Sequence, residues 1–177
     1  MTNPYDSLRD ELRRRARQLH KRCAGADEDA LRRVRRAPAL AAQPDDAIIA
    51  GVRRKHCFDA IARALGFAGW PQASRCLAGE ATEDMGTFMH RGFGGAHWNV
   101  WATDHEEAAA IRREHGGFLL AYRRQFFVAT ESYIDELGLD PNHADWTAIG
   151  RDLSRSRGNP AWARIARSAV RARLFDS

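Results

Sequence analysis

Three histidines, His90, His97 and His105, flank a glycine-rich stretch in the middle of the chain. An imidazole there can act as a general base near neutral pH or as a metal ligand. Zinc needs three or four donors within about 2.0–2.3 Å. The spacing fits no helix-borne zinc motif, because DHEEAAAIRREH places His105 and His115 ten residues apart where H-E-x-x-H requires four. No metal and no cofactor are expected; hydrogen-bonded or surface histidines are the plainer account. Cys57 is the evident candidate nucleophile because His56 adjoins it. Neighbours on a helix point about 100° apart, so adjacency alone does not pair them. Ser132, Ser154 and Ser156 lack a nucleophile-elbow setting. The run Arg91–Gly95, RGFGG, offers successive backbone N–H groups to an anion. It leads into a strand-like segment and lacks the Lys-Ser/Thr of a phosphate loop, which favours a connecting role.

The segment HWNVWAT alternates as a strand does, with Trp98, Val100 and Ala102 on one side and His97, Asn99, Trp101 and Thr103 on the other. A tryptophan sharing a face with a histidine and an asparagine means either a covered sheet face or a polar cleft. If Tyr122 or Arg123 joins that face, the cleft offers stacking surface, an imidazole and a cation. The candidate ligand-binding residues are therefore His90, Arg91, His97, Asn99, Trp101, Tyr122 and Arg123. Two arginine-rich stripes, Arg13, Arg17 and Lys21 near the start and Arg164, Arg167 and Arg171 near the end, have the spacing to track phosphates. Asp10 and Glu11 stand four residues before Arg14 and Arg15, the pattern of a solvated helix face.

These residues must be carried by helices and a few strands. Leu8, Leu12, Leu19 and Cys23 recur at helical steps behind Asn3 and Pro4, a cap and first turn. A second helix follows Asp27–Asp29 and ends before Pro38; a third, Ile48 through Leu65, stops at Gly66. Trp70 and Pro71 open a short helix. Residues 80–96 show neither period. Asp104 caps a helix ending at Gly116 and Gly117. FLLAYRRQFFVA reads as one long strand or as a hairpin turning near Arg123 and Arg124, without the usual turn residues. Short helices around Tyr133 and Trp146 follow, and a last one opens at Asn159 and Pro160.

The phrase ARALGFAGWPQASRCL at 62–77 resembles the end of a short helical module, AxxLGFxxWPxxxxxL, of bacterial proteins, some labelled ankyrin-like or glyoxalase-superfamily. The resemblance covers at most the first 80 residues. Its recurring Ala64, Leu65, Gly66, Phe67, Trp70 and Pro71 read as packing and capping positions, so it implies a fold for that half and no chemistry. GGFLLAYRRQFFVA and LGLDPNHADWTAIG resemble stretches of bacterial proteins of unknown function.

The chain has 177 residues and 44% hydrophobic content, enough for one sizeable core or two small ones. No apolar run approaches a membrane span, and MTNPYDSLRDELRRR has charges where a signal peptide needs an apolar core. Three cysteines without C-x-x-C spacing point to reduced, buried thiols. Together these place the protein in the cytoplasm. The net charge of +5 invites a nucleic-acid partner, yet only Lys21 and Lys55 among 28 basic residues are lysine, as in an arginine-biased, GC-rich coding sequence.

The expected fold is predominantly helical α+β: a helical module at 1–80, a glycine-containing linker or loop at 81–96, and at 97–177 a small α+β unit with C-terminal helices. The leading functional reading is a non-catalytic binding or protein-interaction module for a protein or small-molecule ligand. Two alternatives stay open: a small enzyme using a His90/His97 cleft, and nucleic-acid binding through the arginine-rich helices.

Overall fold

A computed structural model describes residues 3–80, 83–90, 92 and 98–175 of the chain. Helix α1 (Pro4–Ala24) starts where the Asn3 side chain accepts a hydrogen bond from the Tyr5 N–H at 3.1 Å, with Pro4 in the first turn. It buries Leu8, Leu12, Ala16 and Cys23 along one stripe. Helix α2 (Glu28–Val34) is capped by Asp27, which accepts from the Ala30 N–H at 2.9 Å, and it buries Leu31 and Val34. A 3-10 turn at Pro38–Leu40 follows.

The single helix expected over 48–65 is two helices, α3 (Asp45–Gly51) and α4 (Arg54–Ala64). Gly51 and β-branched Val52 weaken the helix there, and Val52 is extended at φ −63°, ψ 134°. His20 Nε2 hydrogen-bonds the Val52 carbonyl at 3.2 Å, and the Arg53 N–H donates to His56 Nδ1 at 3.2 Å, so both sides of the break are held. Helix α5 (Trp70–Leu77) completes this part, its Trp70 N–H donating to Asp59 at 3.1 Å.

A three-stranded antiparallel sheet has the order β1 (Val100–Ala102), β3 (Gln125–Ala129), β2 (Phe118–Tyr122). Helix α6 (His105–His115) lies between β1 and β2 in the chain, capped by Asp104. The run at 118–129 is a hairpin: Tyr122 pairs with Gln125, and Arg123 takes φ +53° in the two-residue turn. Leu119 makes an isolated parallel bridge to Asp152, its N–H donating to the Arg151 carbonyl at 2.8 Å, which occupies the outer side of β2. One sheet face, with Phe118, Leu120, Phe127 and Ala129, enters the main core; Ala102 and Leu119 on the other face meet Ala108 of α6. His105 Nε2 hydrogen-bonds Asp152 at 2.7 Å, anchoring α6 to the 152–155 turn.

Helices α7 (Glu131–Glu136), α8 (Ala144–Ala148) and α9 (Pro160–Phe175) close the structure. The architecture is the predominantly helical α+β fold expected. A single cluster of buried side chains includes Leu8, Val34 and Leu65, then Met85, Phe88 and Met89, then Phe127, Trp146 and Trp162. Residues 83–90, in the segment read as a linker or loop, thus contribute three core side chains.

Helix α9 packs along α1. The Tyr5 hydroxyl accepts from the Gly158 N–H at 2.7 Å and donates to the Asn159 carbonyl at 3.2 Å, and its ring stacks with Trp162. Between the two helices lies Glu11, only 4% exposed, ion-paired with Arg14 at 2.7 Å, Arg15 at 2.8 Å and Arg171 at 3.6 Å. Burial pushes the Glu11 carboxyl up, but the hydrogen bonds from Arg14 and Arg15 outweigh it and hold its pKa below the usual 4.5. A carboxyl depressed in the folded state stabilises fully above its unfolded pKa, and that stabilisation is lost as pH falls through the folded value. Glu11→Gln is expected to lower stability at neutral pH by about 1–3 kcal/mol and to flatten its fall in acid, checked by denaturant melts across pH.

Candidate functional site

The segment 83–90 is held by the buried side chains of Met85, Phe88 and Met89 and by a set of hydrogen bonds to its backbone. The Met85 N–H donates to the Arg123 carbonyl at 3.0 Å and the Arg123 N–H to the Gly86 carbonyl at 2.6 Å, tying it to the hairpin turn. The Thr87 N–H donates to the Gly66 carbonyl at 2.7 Å. Arg173 of α9 donates to the carbonyls of Thr87 at 2.8 Å and Phe88 at 2.6 Å, and the buried Tyr133 hydroxyl donates to the Met89 carbonyl at 3.0 Å. Gly66, at φ +89°, has no room for a side chain: a Cβ would sit 2.9 Å from the Thr87 carbonyl carbon.

This anchored segment delivers His90 to the sheet. Its ring centroid lies 4.9 Å from Tyr122, 5.7 Å from Trp101 and 5.9 Å from Phe127. Trp101 stacks on Phe127 at 4.8 Å with 27° between planes, and meets Tyr122 edge-on at 5.5 Å. The register explains the grouping: Trp101 pairs with Phe127 and Phe127 with Leu120, so Tyr122, two residues on, shares the face. Phe127 is fully buried, whereas Trp101 remains 43% exposed and neighbouring Trp98 86% exposed. The arrangement is a rigid aromatic platform with one side open, and these offset and edge-on contacts are the favoured ones between rings. Burial, with like-charge repulsion from Arg173, holds the His90 imidazole below its usual 6.5, so it is neutral at pH 7 and able to accept a proton or a hydrogen bond.

Of the candidate residues, His90, Trp101 and Tyr122 converge. Asn99 is half-buried, its Oδ1 without a hydrogen-bond partner among the described residues. Arg123 is spent on the turn; its guanidinium lies 5.5 Å from the Tyr122 ring centroid and lines a separate groove with Arg124, Arg155 and Phe126. Arg91 and His97 lie outside the described residues. Phe127, the floor of the platform, was missed as a site residue, although the alternation of 125–129 was a usable signal. So were the anchors Gly66, Tyr133 and Arg173; Gly66 reads in sequence only as a helix stop.

Most residues of the other constellations have structural partners. Cys57 is fully buried with its thiol pushed up to about 12 by burial and by Cys23, and His56 is engaged in capping α4, so no thiolate nucleophile forms. Ser154 Oγ donates to Asp152 at 2.6 Å while His105 bonds the other oxygen of the same carboxylate. The carboxylate thus sits between serine and imidazole, the wrong order for a charge-relay triad, where the imidazole must lie between them. No group of three or more His, Cys, Asp or Glu side chains that could hold a metal occurs among the described residues. In the arginine stripes, Arg164 is bound to Asp145 through Nε at 2.9 Å, Arg171 to Glu11, and Arg13 to Asp10 at 3.2 Å. No helix among the described residues is long and apolar enough to cross a membrane.

No protein-family model matches the chain, and no curated protein or solved structure shows detectable similarity to it.

Gly66→Ala is expected to cost about 1–3 kcal/mol, through the positive φ and the collision with Thr87, and to displace His90 from Trp101. Calorimetry and the chemical shifts of the His90 ring check both parts. The His90 imidazole should titrate below 6.5 in an NMR pH series. A depressed histidine pKa stabilises fully above pH 6.5, and this is lost as pH falls. His90→Phe should therefore be less acid-sensitive below pH 6.5 than the wild type, with a residual slope from His56, which is also held low.

Proposed function

We propose that the protein is a non-catalytic binding module whose recognition surface is the Trp101 platform. One observation carries this reading: Trp101 is fixed by Phe127, His90 and Tyr122 yet nearly half exposed, while most other large apolar side chains among the described residues are covered. A preorganised tryptophan supplies large contact area at small entropic cost, the property of an interface anchor. Val100, also exposed, pairs with Val128 and so lies on the opposite face of β1 from Trp101. Three buried cysteines outside any disulfide support a reducing, cytoplasmic setting.

A second reading, a small enzyme with His90 as general base, draws on the neutral imidazole alone. Nucleic-acid binding through the helices is less favoured, because Arg164 and Arg171 already serve carboxylates.

Affinity capture with immobilised wild type, followed by titration of each captured protein, tests the binding reading. Trp101→Ala is expected to weaken a specific partner by about tenfold or more while the fold, followed by circular dichroism, is retained. His90→Phe, which keeps an aromatic ring beside Trp101, should preserve that binding. Identical capture by wild type and Trp101→Ala defeats the proposal.

A further inference from the structure

We propose that a cleft sharing no lining residue with the Trp101 platform, between α1, α2 and α4 and bounded by Leu174 of α9, binds a free amphiphilic anion: an aliphatic chain bearing one carboxylate or phosphate group. The cleft has a volume of about 420 Å³, within the range of small-molecule sites. Its floor is aliphatic, made by Leu19, Ala60, Ile61, Ala64 and Leu174. Ala60 and Ala64, four residues apart on α4, stand on one helix face, and their small side chains open the space above it. With no aromatic ring in the lining among the described residues, the floor suits a hydrocarbon chain better than a nucleobase, which would need a ring to stack on.

The rim is cationic, formed by Arg15, Lys21, Arg22, Arg33 and Arg36, and no carboxylate lines the cleft among the described residues. Three of these cations are held from behind. Arg15 contacts Glu11 at 2.8 Å, Arg22 contacts Asp27 at 2.8 Å and Asp29 at 2.9 Å, and Arg33 contacts Asp29 at 2.9 Å. Lys21 and Arg36 make no ion pair with a described residue. Lys21 and Arg36 therefore leave the rim positively charged over the apolar floor, which a carboxylate or a phosphate monoester would match. The helix dipole accounts for Lys21, Arg22 and Arg33, which sit in the last turns of α1 and α2. It does not account for Arg15, in the middle of α1, or Arg36, beyond the end of α2, overhanging the same floor. Charge at the rim with hydrocarbon below is the complement of an amphiphilic anion.

The full chain, labelled with nitrogen-15, would be titrated with dodecanoate, monododecyl phosphate and dodecanol, each as monomer. Saturable shifts at Lys21, Arg36, Ala60 and Ala64 are expected with at least one anion, with dodecanol weaker by about tenfold or more. The tighter anion identifies the head group. The double variant Lys21→Glu, Arg36→Glu changes two exposed side chains, so it should fold normally and lose about tenfold or more in affinity for the anion; Ala64→Trp should block the floor. Equal binding of dodecanol, no saturation below about 1 mM, an unchanged affinity in the double variant, or association with phosphatidylglycerol vesicles but not with monomer would each overturn the proposal.

Discussion

The short hydrogen bond from the Thr87 N–H to the Gly66 carbonyl is the contact on which the central part of this molecule depends. It requires two backbones to approach where neither can carry a side chain: Gly66 is blocked by Thr87, and a Cβ on Gly86 would lie 2.5 Å from the Gly66 oxygen. Once that approach is made, Arg173, Tyr133 and the Arg123 turn satisfy the carbonyls and amides of 85–89, and the polar backbone of a non-helical stretch can lie inside the core. Met85, Phe88 and Met89 become interior residues as a result, and His90 emerges at the sheet against Tyr122 and Trp101.

What the sequence made legible and what it did not divides along this line. Helices with local punctuation were readable: Asn3–Pro4, Asp27, Asp104 and Asn159–Pro160 each stand at a helix start, because caps are local hydrogen bonds. The break at Val52–Arg53 was not, since it is held by His20 from a different helix. The hairpin lacked turn residues, and Arg123 adopts a left-handed conformation because its N–H and carbonyl are engaged by Gly86 and Met85. Periodicity cannot register such pairings across the chain. Alternation placed Trp101 with Asn99 and left either Tyr122 or Arg123 to join them, which the strand register decides for Tyr122, whereas the arrival of His90 depended on the glycine contact and was not inferable from spacing.

The arginines, so numerous that composition alone gave them little meaning, fall into distinct roles in three dimensions. Some neutralise a buried carboxylate, as Arg14, Arg15 and Arg171 do at Glu11, and Arg173 holds backbone carbonyls. Others remain over open space. A count of charge conflates these roles; only the geometry of each guanidinium separates a structural ion pair from a surface free to meet an anion.

The pairing of α1 with α9 has a consequence for how the chain reaches this state. Tyr5 finds its hydrogen-bond partners at Gly158 and Asn159, more than 150 residues later. During ribosomal synthesis α1 therefore emerges long before α9, and the face that α9 covers stays unsheltered until those later residues are made. Closure of this long loop comes late, which makes nascent and truncated chains the forms most in need of chaperones.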